Sequence, residues 1–131
     1  MIDHVSSYTT NFPAAKAFYE AGLGSLGYEI QTEMVASWDP DFPERRMCAW
    51  GPSNRPVFWV IEVKEAYSPR HVAFTAADRA GVDAFYKAVM AAGGRDHGEP
   101  GVREIYHADY YGAFALDPDD NNVEAVCHAP A

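Results

Sequence analysis

Apolar and polar positions follow two different periods along this chain, and the same succession of periods occurs twice. From His71 to Ala76 the residues alternate, with His71, Ala73 and Thr75 on one face and Val72, Phe74 and Ala76 on the other, the period-two signature of a strand. Asp78 follows in a capping position. Val82, Phe85, Val89 and Ala92 then recur at i, i+3, i+7 and i+10, the apolar stripe of an amphipathic helix. Gly93-Gly94 ends it, because glycine takes the left-handed conformation beyond a helix terminus without steric cost. Residues 2–27 repeat the scheme, with Asn11 as the cap, Pro13 in the first turn, and Ala15, Phe18 and Leu26 facing inward.

Each helix is followed by segments rich in aromatic and β-branched residues, separated by turn chemistry, which predicts antiparallel strands. In the first half these are residues 27–35, 46–50 and 57–63. In the second they are 95–96, 112–117 and 122–127, the last two joined by Pro118-Asp119-Asp120-Asn121. Sliding the sequence along itself by 67 positions aligns His4-Val5 with His71-Val72, Ala17-Phe18-Tyr19 with Ala84-Phe85-Tyr86, Ala21 with Ala88 and Gly27 with Gly94. Identities of this density at one offset indicate an internal duplication. The expected architecture is α+β, a tandem βαβββ repeat in one domain over residues 1–131, with module one at about 1–66 and module two at about 67–131.

Composition narrows the partners. A hydrophobic share of 48% supports a core without disulfide staples. Nineteen Asp and Glu against 10 Lys and Arg give a formal charge of -9, which repels phosphate backbones and anionic lipid, so neither nucleic acid nor membrane is expected as a partner. The two cysteines, Cys48 and Cys127, lie in apolar stretches with no CxxC pairing and read as buried thiols. With no secretion signal and no apolar run approaching the roughly 20 residues of a membrane span, the expected compartment is the cytoplasm.

A tandem βαβββ repeat with a histidine in the first strand of each copy resembles the vicinal oxygen chelate superfamily, which includes glyoxalase I, extradiol dioxygenases, and fosfomycin and bleomycin resistance proteins. The most specific stretches are His71-Val72-Ala73-Phe74 and the run from Tyr111 to Glu124, in which Asp117-Pro118-Asp119-Asp120-Asn121 leads into a strand carrying Glu124. The resemblance covers the whole chain. It implies a U-shaped mixed sheet forming a cup, a homodimer, a small oxygen-rich substrate that chelates a divalent metal ion (Fe, Mn, Ni or Zn), and lyase or dioxygenase chemistry.

By the same resemblance the metal ligands are His4, His71 and Glu124. Two imidazoles and a carboxylate leave coordination positions open for substrate oxygens. Glyoxalase I carries a second glutamate in the last strand of its first module. Superposing the closing hairpins through Pro52 and Pro118, an offset of 66, puts Phe58 opposite Glu124 here, and the nearest acid, Glu62, lies about 13 Å further along at the usual strand rise. A three-ligand centre is therefore expected. Glu124, His107 and Tyr106 are the candidate catalytic groups, and Arg103, Tyr111, Trp59 and Phe58 the candidate substrate contacts. Arg103 suits bidentate grip of a carboxylate, His107 proton transfer near neutrality, and Tyr106, Tyr110 and Tyr111 donation to an oxyanion. The same tyrosines also suit an amphipathic strand edge covering a cup rim. His97 and His128, in polar Gly- or Pro-rich surroundings, read as solvated, and 117–122 reads as a hairpin turn and not a calcium loop, since His128 stands where that loop needs its closing glutamate. A metal-free protein sequestering a hydrophobic small molecule in the same cup is the competing reading, and a purely structural dimer module a third.

Overall fold

The computed structural model describes residues 1–131. The first module runs β1 (Val5–Thr9), α1 (Phe12–Ser25), β2 (Glu29–Val35), β3 (Arg46–Gly51) and β4 (Phe58–Glu62). The second runs β5 (His71–Thr75), α2 (Arg79–Ala91), β6 (Arg95–Val102), β7 (Tyr111–Leu116) and β8 (Asn122–Cys127). Each module folds as a four-stranded mixed sheet, ordered β1-β4-β3-β2 and β5-β8-β7-β6. In both, the first strand pairs parallel to the last while the remaining strands run antiparallel. The expected α+β tandem repeat is thus the observed one, and neither sheet closes into a barrel.

The helices begin where their caps dictate. The Asn11 side chain accepts from the Ala14 amide and the Asp78 side chain from the Gly81 amide, each satisfying an otherwise orphaned N–H of a first turn. One face of each sheet packs on the helices, and both modules share a single core that includes Phe18 and Leu23 of α1, Phe85 and Val89 of α2, Trp50 and Phe58 of the first sheet, and Phe74 and Ala125 of the second. The helices meet at Gly22. A Cβ there would lie 2.5 Å from Val89 Cγ1 and 2.9 Å from a Phe85 ring carbon. Gly22→Ala should therefore lower stability by about 1–2 kcal/mol, overpacking outweighing the gain of roughly 1 kcal/mol in helix propensity. Urea unfolding would show this, and a stabilised variant would mean that the helices part without cost.

Strand 6 departs most from expectation, spanning Arg95–Val102 where only residues 95–96 were expected. Its Gly-Glu-Pro-Gly content argues against a strand, but it pairs with β7 through register shifts between Asp96 and Gly98 and between Gly98 and Gly101, and such bulges accommodate Gly and Pro in an edge strand. The 117–121 turn is a side-chain-braced hairpin, with Asp117 Oδ1 accepting from the Asp119 and Asn121 amides. No helix is long and apolar enough to cross a membrane.

Candidate metal centre

Strand alternation sends Phe74 of β5 and Val123, Ala125 and Cys127 of β8 to the helices, leaving His71, Ala73, Asn122 and Glu124 on the opposite face. There His71 Nε2 lies 3.2 Å from Glu124 Oε1. The other imidazole nitrogen, Nδ1, is 2.9 Å from the Asn122 carbonyl oxygen. A carbonyl only accepts, so Nδ1 carries the proton and a neutral ring presents its Nε2 lone pair to the carboxylate. Two electron-pair donors 3.2 Å apart need a cation to join them, either a proton on Nε2 or a metal ion. An Nδ1–H donated to a backbone carbonyl is also the usual way a metal-binding histidine is oriented. The donor set fits a divalent ion.

Glu124 is 1% exposed because Tyr110 lies over it and donates its hydroxyl to Oε2. Gly112 makes room for this contact: a Cβ there would sit 3.1 Å from Glu124 Oε2 and 3.2 Å from a Tyr110 ring carbon. Burial, then the bond to Glu124, pushes the Tyr110 hydroxyl up to about 12, so it remains a donor at neutral pH. On the other side, the Phe114 ring stacks at 28° on His71, 6.2 Å between centroids, and the Arg103 guanidinium lies 5.4 Å from the Phe114 centroid with Nη2 donating to the Glu99 carbonyl. A row of Arg103, Phe114, His71, Glu124 and Tyr110 results.

His4 does not join this row within one chain. Its Nδ1 is 2.7 Å from Asp3 Oδ1, it shares a cavity of about 460 Å³ with Arg55 and Trp59, and no three His, Cys, Asp or Glu side chains of the chain converge tightly enough to hold an ion. The duplication explains its place. Ser6 pairs with Trp59 in β1–β4 as Ala73 pairs with Glu124 in β5–β8, and Ser6 and Ala73 are equivalent at the offset of 67. Trp59, not Phe58, therefore occupies the position of Glu124. The hairpin superposition misled by one residue because, at the offset of 65 that matches Trp50↔Phe58 to Ala115↔Val123 and Ala49↔Trp59 to Phe114↔Glu124, Pro52 falls on Asp117 and Pro118 on Ser53, so the two prolines are not equivalent. The first module presents His4 and Trp59 where the second presents His71 and Glu124.

Several other expected contacts lie elsewhere. Phe58 faces the helices, 1% exposed, against Tyr19 and Phe74 at 4.9 and 5.2 Å between ring centroids. Tyr111 also points to the helix side, donating to Asp83 of α2. Glu62 is claimed by Arg46, which donates to it from its backbone N, Nε and Nη2, and whose guanidinium holds its carboxyl below the usual range. Tyr106 is exposed and packs on Tyr110, 4.7 Å between centroids. His128, expected in solvent, is exposed but paired: its Nδ1 meets His107 Nε2 at 2.8 Å. Tyr110 and Phe114 carry more of the site than expected, since the irregular segment before β7 gives no periodicity from which to tell which of three neighbouring tyrosines turns toward Glu124.

Two βαβββ modules, each a four-stranded mixed sheet whose first strand pairs parallel with its last, define the tandem-module class of folds. The chain belongs to the glyoxalase/bleomycin resistance protein/dioxygenase superfamily, whose sequence profile matches residues 1–125. Among solved structures it is similar to a glyoxalase/bleomycin resistance protein from Albidiferax ferrireducens T118, at 26% identity and a TM-score of 0.71, covering 97% of this chain and 98% of that one. A putative glyoxalase from Bacillus halodurans shares the fold at 23% identity and a TM-score of 0.64, covering 97% and 95%. A glyoxalase I variant from Zea mays does so at 22% identity and a TM-score of 0.70; the match spans 95% of this chain but 45% of the maize protein. No curated protein matches in sequence.

Proposed function

We propose that this protein is a divalent-metal enzyme acting on a small oxygen-rich substrate that chelates the ion, with His71 and Glu124 of one copy and His4 of a second copy as ligands in a homodimer. The observation that carries the reading is the His71–Glu124 pair, in which the Nδ1–H tautomer leaves the unprotonated Nε2 3.2 Å from a carboxylate oxygen. His4 and Trp59 line a cavity to which neither His71 nor Glu124 contributes, which suits a half-site that closes against another molecule. When bound, the ion (Fe, Mn, Ni or Zn) supplies open positions for substrate oxygens and charge to stabilise an enolate or oxyanion.

The chain's own groups divide the remaining work. Glu124 is the base candidate, its carboxylate shielded from water by Tyr110. Tyr110 fixes the carboxylate's orientation, and Tyr106 and His107 on the rim exchange protons with solvent. Arg103, held flat by Glu99 and Phe114, grips an anionic group of the substrate. Trp59 supplies an apolar wall in place of a fourth ligand. Reconstitution with each of the four metals followed by elemental analysis tests the reading: one tightly bound ion per chain is expected, and none with any metal ends it.

Trp59 itself favours the sequestering alternative, because an aromatic face replaces a ligand. The two readings separate on one substitution. Trp59→Glu should supply a fourth ligand and tighten ion binding at least tenfold in a competition titration, if position 59 faces the centre as the duplication requires. A sequestering protein would show no ion affinity to tighten, only loss of an aromatic ligand contact.

A further inference from the structure

The segment from Arg103 to Tyr110 crosses the Glu124 face as a strap, closed at its base by Arg103 N donating to the Tyr110 carbonyl at 2.7 Å and turned by Tyr106 N to Arg103 O and Tyr110 N to His107 O. Two attachments hold it to β8. Tyr110 bonds Glu124, and four residues on, just past the strand end, His128 pairs with His107 at 2.8 Å, the rings stacked at 26°. The second attachment has a property the first lacks. His107 Nδ1 accepts from the Asp109 amide at 3.1 Å, so in the neutral ring the proton sits on Nε2 and is donated to His128 Nδ1. His128 then carries its own proton on Nε2. The two nitrogens of His107 and Nδ1 of His128 are thus committed, one donating and two accepting, and the remaining nitrogen already bears a proton. An added proton can enter only by breaking the His107–Asp109 bond or the His107–His128 bond; two added protons break both.

We infer that His107 and His128 form a proton-released latch that keeps the 103–110 strap closed over Glu124 when neutral and frees it in acid, controlling solvent and ligand access to the carboxylate. The groups facing the latch do not substitute for it. Tyr110 stands edge-on to both rings, at 5.5 and 5.2 Å between centroids, and Tyr106 packs on Tyr110. Asp109 turns its carboxylate to Arg79 of α2 at 3.9 Å. Arg103 stays charged at the strap base, and Glu124 reaches the strap only through Tyr110. The residue preceding His128, Cys127, is buried in the core and fixes where the receiving imidazole stands. Imidazole is the side chain whose charge ordinarily changes between about pH 5 and 8, which sets the interval to be tested.

The inference does not depend on a metal being bound, and hydrogen exchange read by mass spectrometry on the unmodified protein tests it. After correction for intrinsic exchange, strap peptides should lose protection at least tenfold between pH 8 and pH 5.5, while β7 and β8 peptides hold theirs. In His128→Asn the amide oxygen replaces Nδ1 as acceptor but takes no proton, so the strap should stay protected at both pH values. In His128→Phe the acceptor is gone, and protection should be low at both. Equal wild-type protection at the two pH values, or a His128→Asn strap that opens in acid as the wild type does, overturns the inference. Should His128→Asn not fold, nitrogen-15 spectra of the wild-type imidazoles decide: both rings protonated on Nε2 at pH 8 support the latch, and His107 protonated on Nδ1 refutes it.

Discussion

Glu124→Gln is expected to abolish stoichiometric metal binding while leaving the fold intact. The amide is nearly isosteric with the carboxylate. Its oxygen can accept from Tyr110, and its NH₂ can donate to the bare Nε2 of His71, now 3.2 Å from a carboxylate oxygen, so the substitution satisfies every hydrogen bond of the site and removes only the charge that a cation needs. Loss of an outer-shell partner typically lowers metal affinity about 10- to 100-fold, and a direct ligand in a three-ligand centre should exceed the upper end of that range, to more than about 100-fold. Titration calorimetry with the metal alone measures it. The same variant reports where the third ligand comes from. Mixed with His4→Ala and refolded together, the Glu124→Gln chain would contribute an intact His4 and the other chain an intact Glu124, restoring one ion per heterodimer. A centre assembled within one chain would restore nothing, and unchanged affinity in Glu124→Gln alone would remove Glu124 from the ligand set.

Local rules carried the sequence reading as far as each module and stopped at the relation between modules. Asn11 and Asp78 announce their helices because an N-cap acts on amides two or three residues away, and β8 falls at residues 122–127 as expected because alternation and a turn bound it on the sequence itself. The closeness of His71 and Glu124 was legible only through the family resemblance, because no local rule tells that β5 pairs with β8. What failed was the superposition anchored on a residue inside a turn. The two hairpins are of equal length between the equivalent pairs Trp50↔Phe58 and Ala115↔Val123, but their prolines stand one position apart in the turn, which put Phe58 in place of Trp59 opposite Glu124, and a shift of one residue in a strand exchanges core for exposed face. His128 is exposed as expected, but its pairing with His107 went unforeseen because a Gly- or Pro-rich terminal setting says nothing about a partner 21 positions away. His4 could not be placed, since its relation to His71 depends on how two separately hydrogen-bonded sheets are arranged, which no periodicity encodes.

The most destabilising single change away from the site is expected to be Asp117→Ala. Asp117, 1% exposed, accepts four donors: Tyr19 Oη and Asn121 Nδ2 on one oxygen, and the amides of Asp119 and Asn121 on the other. Tyr19 belongs to α1 and Asp117 to the β7–β8 turn, so this carboxylate pins the helix of one module to the closing hairpin of the other. Removing it strands the Tyr19 hydroxyl and the Asn121 amide in the interior, each 4% exposed or less, and the loss should be about 3–5 kcal/mol. Tyr19→Phe removes one donor and leaves three, so it should cost only about 1–2 kcal/mol. The pH dependence has a definite sign. Burial pushes the Asp117 carboxyl above its usual range despite the bonds from Tyr19 and Asn121 that pull it down, so the folded state binds the proton more readily than the unfolded chain. Its contribution therefore grows as pH falls through the raised folded value toward about 3.9, the unfolded carboxyl, and shrinks as pH rises. Asp117→Asn, which does not titrate, should lose that slope. Urea melts of the three variants from pH 3.5 to pH 8 measure both effects; a loss under 1 kcal/mol in Asp117→Ala would mean that water takes over the four donors and that the modules do not rely on this carboxylate.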